Sequence, residues 1–377
     1  HKDHGVKLGK VELDLPTLLG RKDKVVGHTT GGVDFLFKKN HITRFEGRGR
    51  IVGPGQVAVE GGKQAQTVKG NSILIATGSE PIPLPFAPFD GERIVSSTEA
   101  LSLTSVPKNL IVIGAGVIGL ELGSVWQRLG ADVTVLEMLP ALFPTLDGEI
   151  AKQALRIFTK QGFKFHFKTK VTAITASKTK ALVIAEDDKG QSQEHKGDVV
   201  LVAIGRRPST EGLGAKEVGI AFTDRGRIQV DERFQTNIPG IYAIGDVIDG
   251  PMLAHKASEE AIAFVELLAG KAGHVNYEAI PWIVYTWPEI AWIGPGEEEL
   301  KQQGRDYRVG KFPFTANARA RTMNESDGQV KIIADARTDR LLSVSIIGPR
   351  ASDMIAEAAI AFEFGGSAED LARSVHA

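Results

Sequence analysis

The stretch from Lys108 to Glu137 reads K-N-L-I-V-I-G-A-G-V-I-G-L-E-L-G-S-V-W-Q-R-L-G-A-D-V-T-V-L-E. Leu110 to Ile113 is a continuous apolar run, the pattern of a parallel strand buried on both faces. Gly114, Gly116 and Gly119 follow in G-x-G-x-x-G order. The first glycine permits a tight turn, the second lets backbone approach a pyrophosphate, and the third lets helix and strand pack closely. The helix opened by Ala115, Val117, Ile118 and Leu120 then offers unpaired N–H groups and a positive dipole end to phosphates. Asp132 to Leu136 is a second strand, and Glu137 stands at its end. A carboxylate there accepts hydrogen bonds from ribose hydroxyls and repels a 2′-phosphate, which favours NAD over NADP. The strand before, the helix after and the acid about 20 residues on all agree. A cluster of helix-packing glycines leaves the terminal acid unexplained.

Bulk properties bound the rest. A chain of 377 residues calls for two or three domains. The net charge of −1 gives no electrostatic case for nucleic acid or an anionic membrane surface. No apolar run reaches the roughly 18 residues that a membrane span needs. The charged, polar start is unlike a signal peptide. Cysteine is absent, which excludes disulfides, thiolate metal sites and a cysteine nucleophile within these residues. No metal is expected.

Outward from the fingerprint, Leu15 to Phe37 predicts a helix with Pro16 in its first turn, in need of a partner. Ile42 to Val59 and Ser72 to Ala76 read as strands, the latter running into Thr77-Gly78-Ser79. The four prolines between Pro81 and Pro88 mark a boundary. Glu149 to Gly162 predicts a helix, Lys164 to Ile174 a strand, and Asp198 to Ile204 a buried strand ending at Gly205-Arg206-Arg207-Pro208. Ile241 to Ile244 is a short buried strand with Gly245-Asp246 at its end, and a helix is expected from about Ala257 to Leu268. Beyond about Val275 strands (Trp282 to Thr286, Val330 to Ala334, Leu342 to Ile347) mix with helices (Glu297 to Gln303, Ser352 to Phe364), as in a separate α+β domain. The fold class expected is α/β, with one Rossmann-like unit from Lys108 to about Arg227, a weak echo of a second nucleotide-type sheet, and a C-terminal α+β domain.

Individual side chains admit two readings each. Asp246 after a buried strand needs a hydrogen-bonding partner; a ribityl or ribose hydroxyl is one, a helix cap the other. Thr77-Gly78-Ser79 is a nucleotide turn or a plain turn. Glu121 contacts a cofactor or complements the helix dipole. His255 serves a site or packs and caps. Arg206 and Arg207 face phosphates or solvent. Trp282, Tyr285, Trp287 and Trp292 form a core or a subunit interface.

Four segments together resemble the dihydrolipoyl dehydrogenase family of flavin disulfide reductases: I-L-I-A-T-G-S, V-I-G-A-G-V-I-G-L-E-L-G-S-V-W-Q-R-L-G-A-D-V-T, I-P-G-I-Y-A-I-G-D-V with G-P-M-L-A-H-K-A, and K-F-P-F-T-A-N-A-R-A. The resemblance runs the length of the chain. It implies tandem Rossmann-like units, an FAD-binding domain over 1–107 and 229–274 and an NAD-binding domain over 108–228, with a dimerisation domain over 275–377. By matching positions, FAD would contact Gly49, Thr77, Gly78, Ser79, Asp246, Met252, Leu253, Ala254 and His255. NAD would contact Gly114, Ala115, Gly116, Val117, Ile118, Gly119, Leu120, Glu121, Glu137, Val171 and Gly205. It further implies a homodimer. Its partners would be lipoyl domains of 2-oxo acid dehydrogenase or glycine cleavage complexes, in the cytoplasm or, in a eukaryote, the mitochondrial matrix. Electrons would pass from dihydrolipoamide through a cysteine pair and FAD to NAD⁺.

Departures from the family pattern matter. The family's FAD glycine fingerprint and C-x-x-x-x-C pair lie ahead of the point matching His1. Its histidine base lies in H-P-T-L-S-E, past the point matching Ala377, so His376 matches the preceding histidine and not the base. No catalytic residue is carried over, and a fragment lacking both ends is the expectation. Trp287 replaces a common histidine and Ala261 a common glycine. Alternatives are a related flavin disulfide reductase, which Glu137 argues against, and a cysteine-less nucleotide-binding protein without redox activity.

Overall fold

The structure is a computed structural model, and it describes residues 5–62 and 65–375. A five-stranded parallel sheet forms around the fingerprint, in the order Ile94–Val95, Val199–Val202, Asn109–Ile113, Asp132–Leu136, Lys164–His166. Alternation along the central strand divides its side chains between two cores. Leu110 and Val112 join Leu120, Ile150 and Phe158 under the helices Val117–Arg128 and Gly148–Gln161. Ile111 and Ile113 join Val183, Ala185 and Val202 on the opposite face. That face is covered by an antiparallel meander of Lys170–Ala176, Ala181–Glu186 and Ser192–Gly197. Both faces are therefore dry, which is why the strand carries no polar residue between Leu110 and Ile113. The edge strand Ile94–Val95 comes from before residue 108.

The single strand expected over Lys164 to Ile174 is two. Lys164–His166 belongs to the parallel sheet and Lys170–Ala176 to the meander. Lys168, with φ 51°, turns the chain between them. The run expected as a strand from Ile42 is a hairpin that starts later, Arg48–Gly53 with Gln56–Glu60.

A second unit holds two parallel strands, Ile73–Ile75 and Ile241–Ala243, with the antiparallel meander Arg48–Gly53, Gln56–Glu60 and Gln66–Lys69. Its core gathers Ile51, Ile75, Ile228, Phe234, Ala243 and Phe264, the last from the helix Ala254–Leu268. The helix Leu15–Lys39 is capped by Asp14, whose side chain accepts from Thr17 N, and Pro16 sits in its first turn. Of its residues only Leu15 is buried; Val25, Val26, Phe35 and Leu36 are exposed.

The C-terminal unit is a five-stranded antiparallel sheet ordered Trp282–Val284, Glu289–Ile293, Leu341–Gly348, Gln329–Asp335, Tyr307–Pro313. The helix Ala351–Glu363 covers one face through Ile355 and Ala358. The other face, with Val284, Ile290, Trp292 and Ile347, merges into the core beneath the fingerprint helix. The α/β class and the separate α+β unit stand as expected from the sequence. Among the described residues no helix is long and apolar enough to cross a membrane.

Candidate dinucleotide cleft

A cleft of about 650 Å³ opens at the C-terminal ends of the strands Asn109–Ile113 and Val199–Val202, where ligands bind open parallel sheets. Gly114, Ala115, Gly116, Val117 and Ile118 form one wall. Gly114 has φ +104°, and a Cβ there would lie 2.4 Å from the Ala203 carbonyl oxygen. At Gly119 a Cβ would lie 2.3 Å from the Gly114 oxygen. These two positions admit glycine only, one for the turn and one for packing. Gly116 differs: a Cβ there would meet nothing within 4 Å. It is the N-cap of the helix Val117–Arg128, and no side chain caps that helix. Open space thus faces a row of free N–H donors, a cradle suited to a pyrophosphate.

Glu137 lies across the turn. Its Oε2 accepts from Ala115 N at 2.6 Å and its Oε1 from Leu139 N at 2.7 Å, which fixes the carboxylate at the cleft wall. Val171 and Gly205 also line the cleft, as does Arg206. Not every expected contact reaches the cleft. Gly119 and Leu120 lie under the turn, and Leu120 is wholly buried in the core. Glu121 points across the domain boundary, where Tyr285 N donates to its Oε1 at 2.7 Å. Burial raises the Glu121 carboxyl above its ordinary pKa, against the lowering effect of that bond.

The other expected nucleotide residues gather partly. Gly78 (φ +71°) and Ser79 follow the strand Ile73–Ile75, and Asp246 follows its parallel neighbour Ile241–Ala243, so all stand at one edge. Ser79 Oγ donates to Asp246 Oδ2 at 2.5 Å, and Arg206 Nε donates to Ser79 Oγ at 2.7 Å. Arg206 therefore links the two nucleotide-type units, whereas Arg207 pairs with Glu80 at the surface. Thr77 turns away, its hydroxyl donating to the Ser209 carbonyl at 2.7 Å. Gly49 lies in the meander, opposite Val59. Met252 and Leu253 lead into the helix begun by Ala254, and His255 Nε2 lies 2.8 Å from the Pro281 carbonyl. Trp282 stacks on buried Trp292 at 5.6 Å, which makes that pair core, while Tyr285 and Trp287 are exposed. His376 lies outside the described residues. Among the described residues no group of three or more His, Asp or Glu could hold a metal ion.

Two buried ionic clusters have no counterpart in the sequence reading. Lys331 is enclosed by Asp147, Glu297 and Glu149 at 2.8, 2.8 and 3.3 Å. Lys256 and Glu260, both fully buried, pair at 2.9 Å behind Gly245. Strand parity could have revealed the first: Lys331 shares a face with buried Ile333. The i, i+4 spacing of Lys256 and Glu260 on a mostly apolar helix was the signal for the second.

Residues 4–261 match the family described as pyridine nucleotide-disulphide oxidoreductase, and residues 280–377 match that family's dimerisation domain. The chain is 50% identical over 377 residues to mitochondrial dihydrolipoyl dehydrogenase of Pisum sativum, covering 100% of this chain and 75% of that protein. It is 52% identical over 367 residues to the mitochondrial dihydrolipoyl dehydrogenase of Caenorhabditis elegans, covering 97% and 74%. Among solved structures, LpdA from Mycobacterium tuberculosis superposes with a TM-score of 0.88 at 27% identity, over 98% of this chain and 81% of that one.

Proposed function

The chain belongs to the pyridine nucleotide-disulphide oxidoreductase family, on its dihydrolipoyl dehydrogenase branch, and from that premise we propose that its fingerprint cleft takes NAD and its Ser79–Asp246 edge takes FAD. The chemistry of this branch is flavin-dependent oxidation of dihydrolipoamide, with FAD and NAD(H) as cofactors. The observation that carries the NAD assignment is the open, uncapped helix start at Gly116 facing the fixed Glu137 carboxylate. In this reading the free N–H groups of Val117 and Ile118 bind the pyrophosphate. Glu137 exchanges its bond to Ala115 N for the ribose hydroxyls and excludes a 2′-phosphate by charge repulsion.

When bound, the flavin supplies a two-electron carrier between a dithiol and the nicotinamide. The residues of this chain that would hold it are Gly78, whose φ of +71° lets the backbone turn at the strand end, and Ser79 and Asp246, whose side chains pair with each other at that end. Arg206, bonded to Ser79 and lining the NAD cleft, orients the two nucleotide edges toward each other. The 377 residues contain no cysteine, so these residues bind and orient the nucleotides while the dithiol exchange requires thiols from elsewhere. The matched dimerisation domain supports a homodimer. Lipoyl domains of 2-oxo acid dehydrogenase or glycine cleavage complexes are the proposed electron donors.

The test is a titration with NADH and NADPH followed by nicotinamide fluorescence. Wild type is expected to prefer NADH, and Glu137→Ala to narrow that preference by about tenfold, the effect of about 1.4 kcal/mol. An unchanged preference would remove Glu137 from the site.

A further inference from the structure

Gly245 immediately precedes Asp246 and has φ +74°. Side chains hold both polar groups of its backbone. Its N–H donates to Glu260 Oε2 at 2.7 Å, and its carbonyl accepts from Lys256 Nζ at 3.0 Å. Lys256 Nζ also lies 2.9 Å from Glu260 Oε1, and the Tyr277 hydroxyl donates to that same oxygen at 2.8 Å. The Lys256 and Glu260 side chains are 0% exposed. The loop after Asp246 closes over the ammonium. At Gly250, with φ +112°, a Cβ would lie 3.0 Å from Lys256 Cε. Burial, with the Glu260 carboxylate beside it, pushes the Tyr277 hydroxyl well above its ordinary pKa, so it stays protonated as a donor.

Stability alone is a poor reason for such a pair. Taking two charges out of water is costly, and well-packed apolar residues of similar volume often serve as well or better. An apolar pair could not, however, grip the N–H and C=O of a single residue and so fix the two peptide units that flank its Cα. We propose that the Lys256–Glu260 pair, anchored by Tyr277, is a positioning clamp that sets the Gly245 backbone so that the Asp246 carboxylate is presented to the flavin nucleotide. Neither charged residue touches the cofactor; both act through Gly245. Tyr277 lies at the start of the connection into the dimerisation sheet, in the short helix Tyr277–Ala279. His255 makes a second tie at the same junction, to the Pro281 carbonyl. The clamp therefore couples the geometry of the flavin edge to the docking of the C-terminal unit. It rests on the reading that Asp246 faces FAD.

Tyr277→Phe, Glu260→Gln and Asp246→Ala test it in the full-length gene product. FAD affinity is read from flavin fluorescence, and amide exchange of residues 244–247 from mass spectrometry. Removing the Tyr277 donor is expected to weaken FAD about threefold, and neutralising Glu260 about tenfold. Both changes are expected to speed exchange at 244–247, leaving Asn109–Ile113 and NAD affinity unchanged. A merely structural pair would lower the unfolding temperature without moving FAD affinity of the folded protein. If Asp246→Ala leaves FAD affinity intact, the assignment of Asp246 fails, and the clamp's purpose with it. If Asp246→Ala weakens FAD while Tyr277→Phe and Glu260→Gln bind it as wild type does, the clamp alone is overturned. Tyr277→Phe decides the matter should Glu260→Gln fail to fold, since it removes one hydroxyl from a half-buried ring.

Discussion

Replacing Lys331 with methionine should destabilise the junction between the NAD unit and the C-terminal sheet by about 3 kcal/mol. Lys331 belongs to the strand Gln329–Asp335, Asp147 caps the helix Gly148–Gln161, and Glu297 opens the helix Glu297–Gln302, so one ammonium joins three elements. Lys331 and Asp147 are each 1% exposed. Removing one partner of a buried pair costs about 3–5 kcal/mol, because the remaining charge stays desolvated. The backbone amides of Glu149, Ile150 and Glu297 would still donate to Asp147, at 3.1, 3.4 and 3.1 Å. Those bonds place the cost near the lower end, and methionine fills most of the lysine stem's volume. At about 2–4 °C per kcal/mol, thermal unfolding should shift down by about 6–12 °C. The double variant Asp147→Asn with Lys331→Met should regain a large part of that loss, because the fully buried charge is gone and the other two carboxylates keep partners, Glu297 with Lys301 and Glu149 with Lys311. Acid titration gives a second reading. The Lys331 hydrogen bond foremost, with bonds from Lys301 and Tyr307, holds the Glu297 carboxyl down from 4.5 to about 2. A depressed carboxyl contributes stability that is full above pH 4.5 and is lost as pH falls toward 2. Wild type should therefore weaken steeply across that window and Lys331→Met more gently. A single-variant loss below about 1 kcal/mol, or a double variant no better than the single, would refute the reasoning.

Two further outcomes follow from the same geometry. Glu121 sits with a pKa raised by burial, so its ionisation works against folding: the contribution is present below pH 4.5 and disappears as pH rises through the raised value. Glu121→Gln keeps an acceptor for Tyr285 N and should be at least as stable as wild type at pH 7, with a flatter stability profile above pH 4.5; a clear loss at pH 7 in urea unfolding would count against this. With no cysteine present, the 377-residue chain alone should not reduce NAD⁺ with dihydrolipoamide; measurable NADH formation by the purified chain would show that the dithiol relay is dispensable.

The parts legible in the sequence were those whose meaning is local. At Gly114 and Gly119 the need for glycine arises within ten residues of chain or from the adjoining strand, and Leu110 to Ile113 announces two dry faces by composition alone. The second unit was harder to read because its two parallel strands, Ile73–Ile75 and Ile241–Ala243, meet only after the whole NAD unit has intervened. Lys168 misled for a different reason: its left-handed backbone is unmarked by glycine, so one strand was expected where the chain changes sheets. Lys256 and Lys331 drew no reading from the sequence, yet each is buried against carboxylates, Lys256 against Glu260 one turn on in its own helix and Lys331 against Asp147 and Glu297 from other elements. Strand parity and i, i+4 spacing can flag such positions, and for Lys256 the spacing also names the partner, but the partners that make the Lys331 ammonium tolerable belong to the topology. Asp147 lies 184 residues from Lys331. Gly245 is held by a helix that begins nine residues after it and by a tyrosine beyond that helix's end. The nucleotide-facing residues are thus specified by short motifs. The residues that aim them are specified by contacts that exist only once the domains have docked, and variants of Lys331 and Tyr277 separate those two layers.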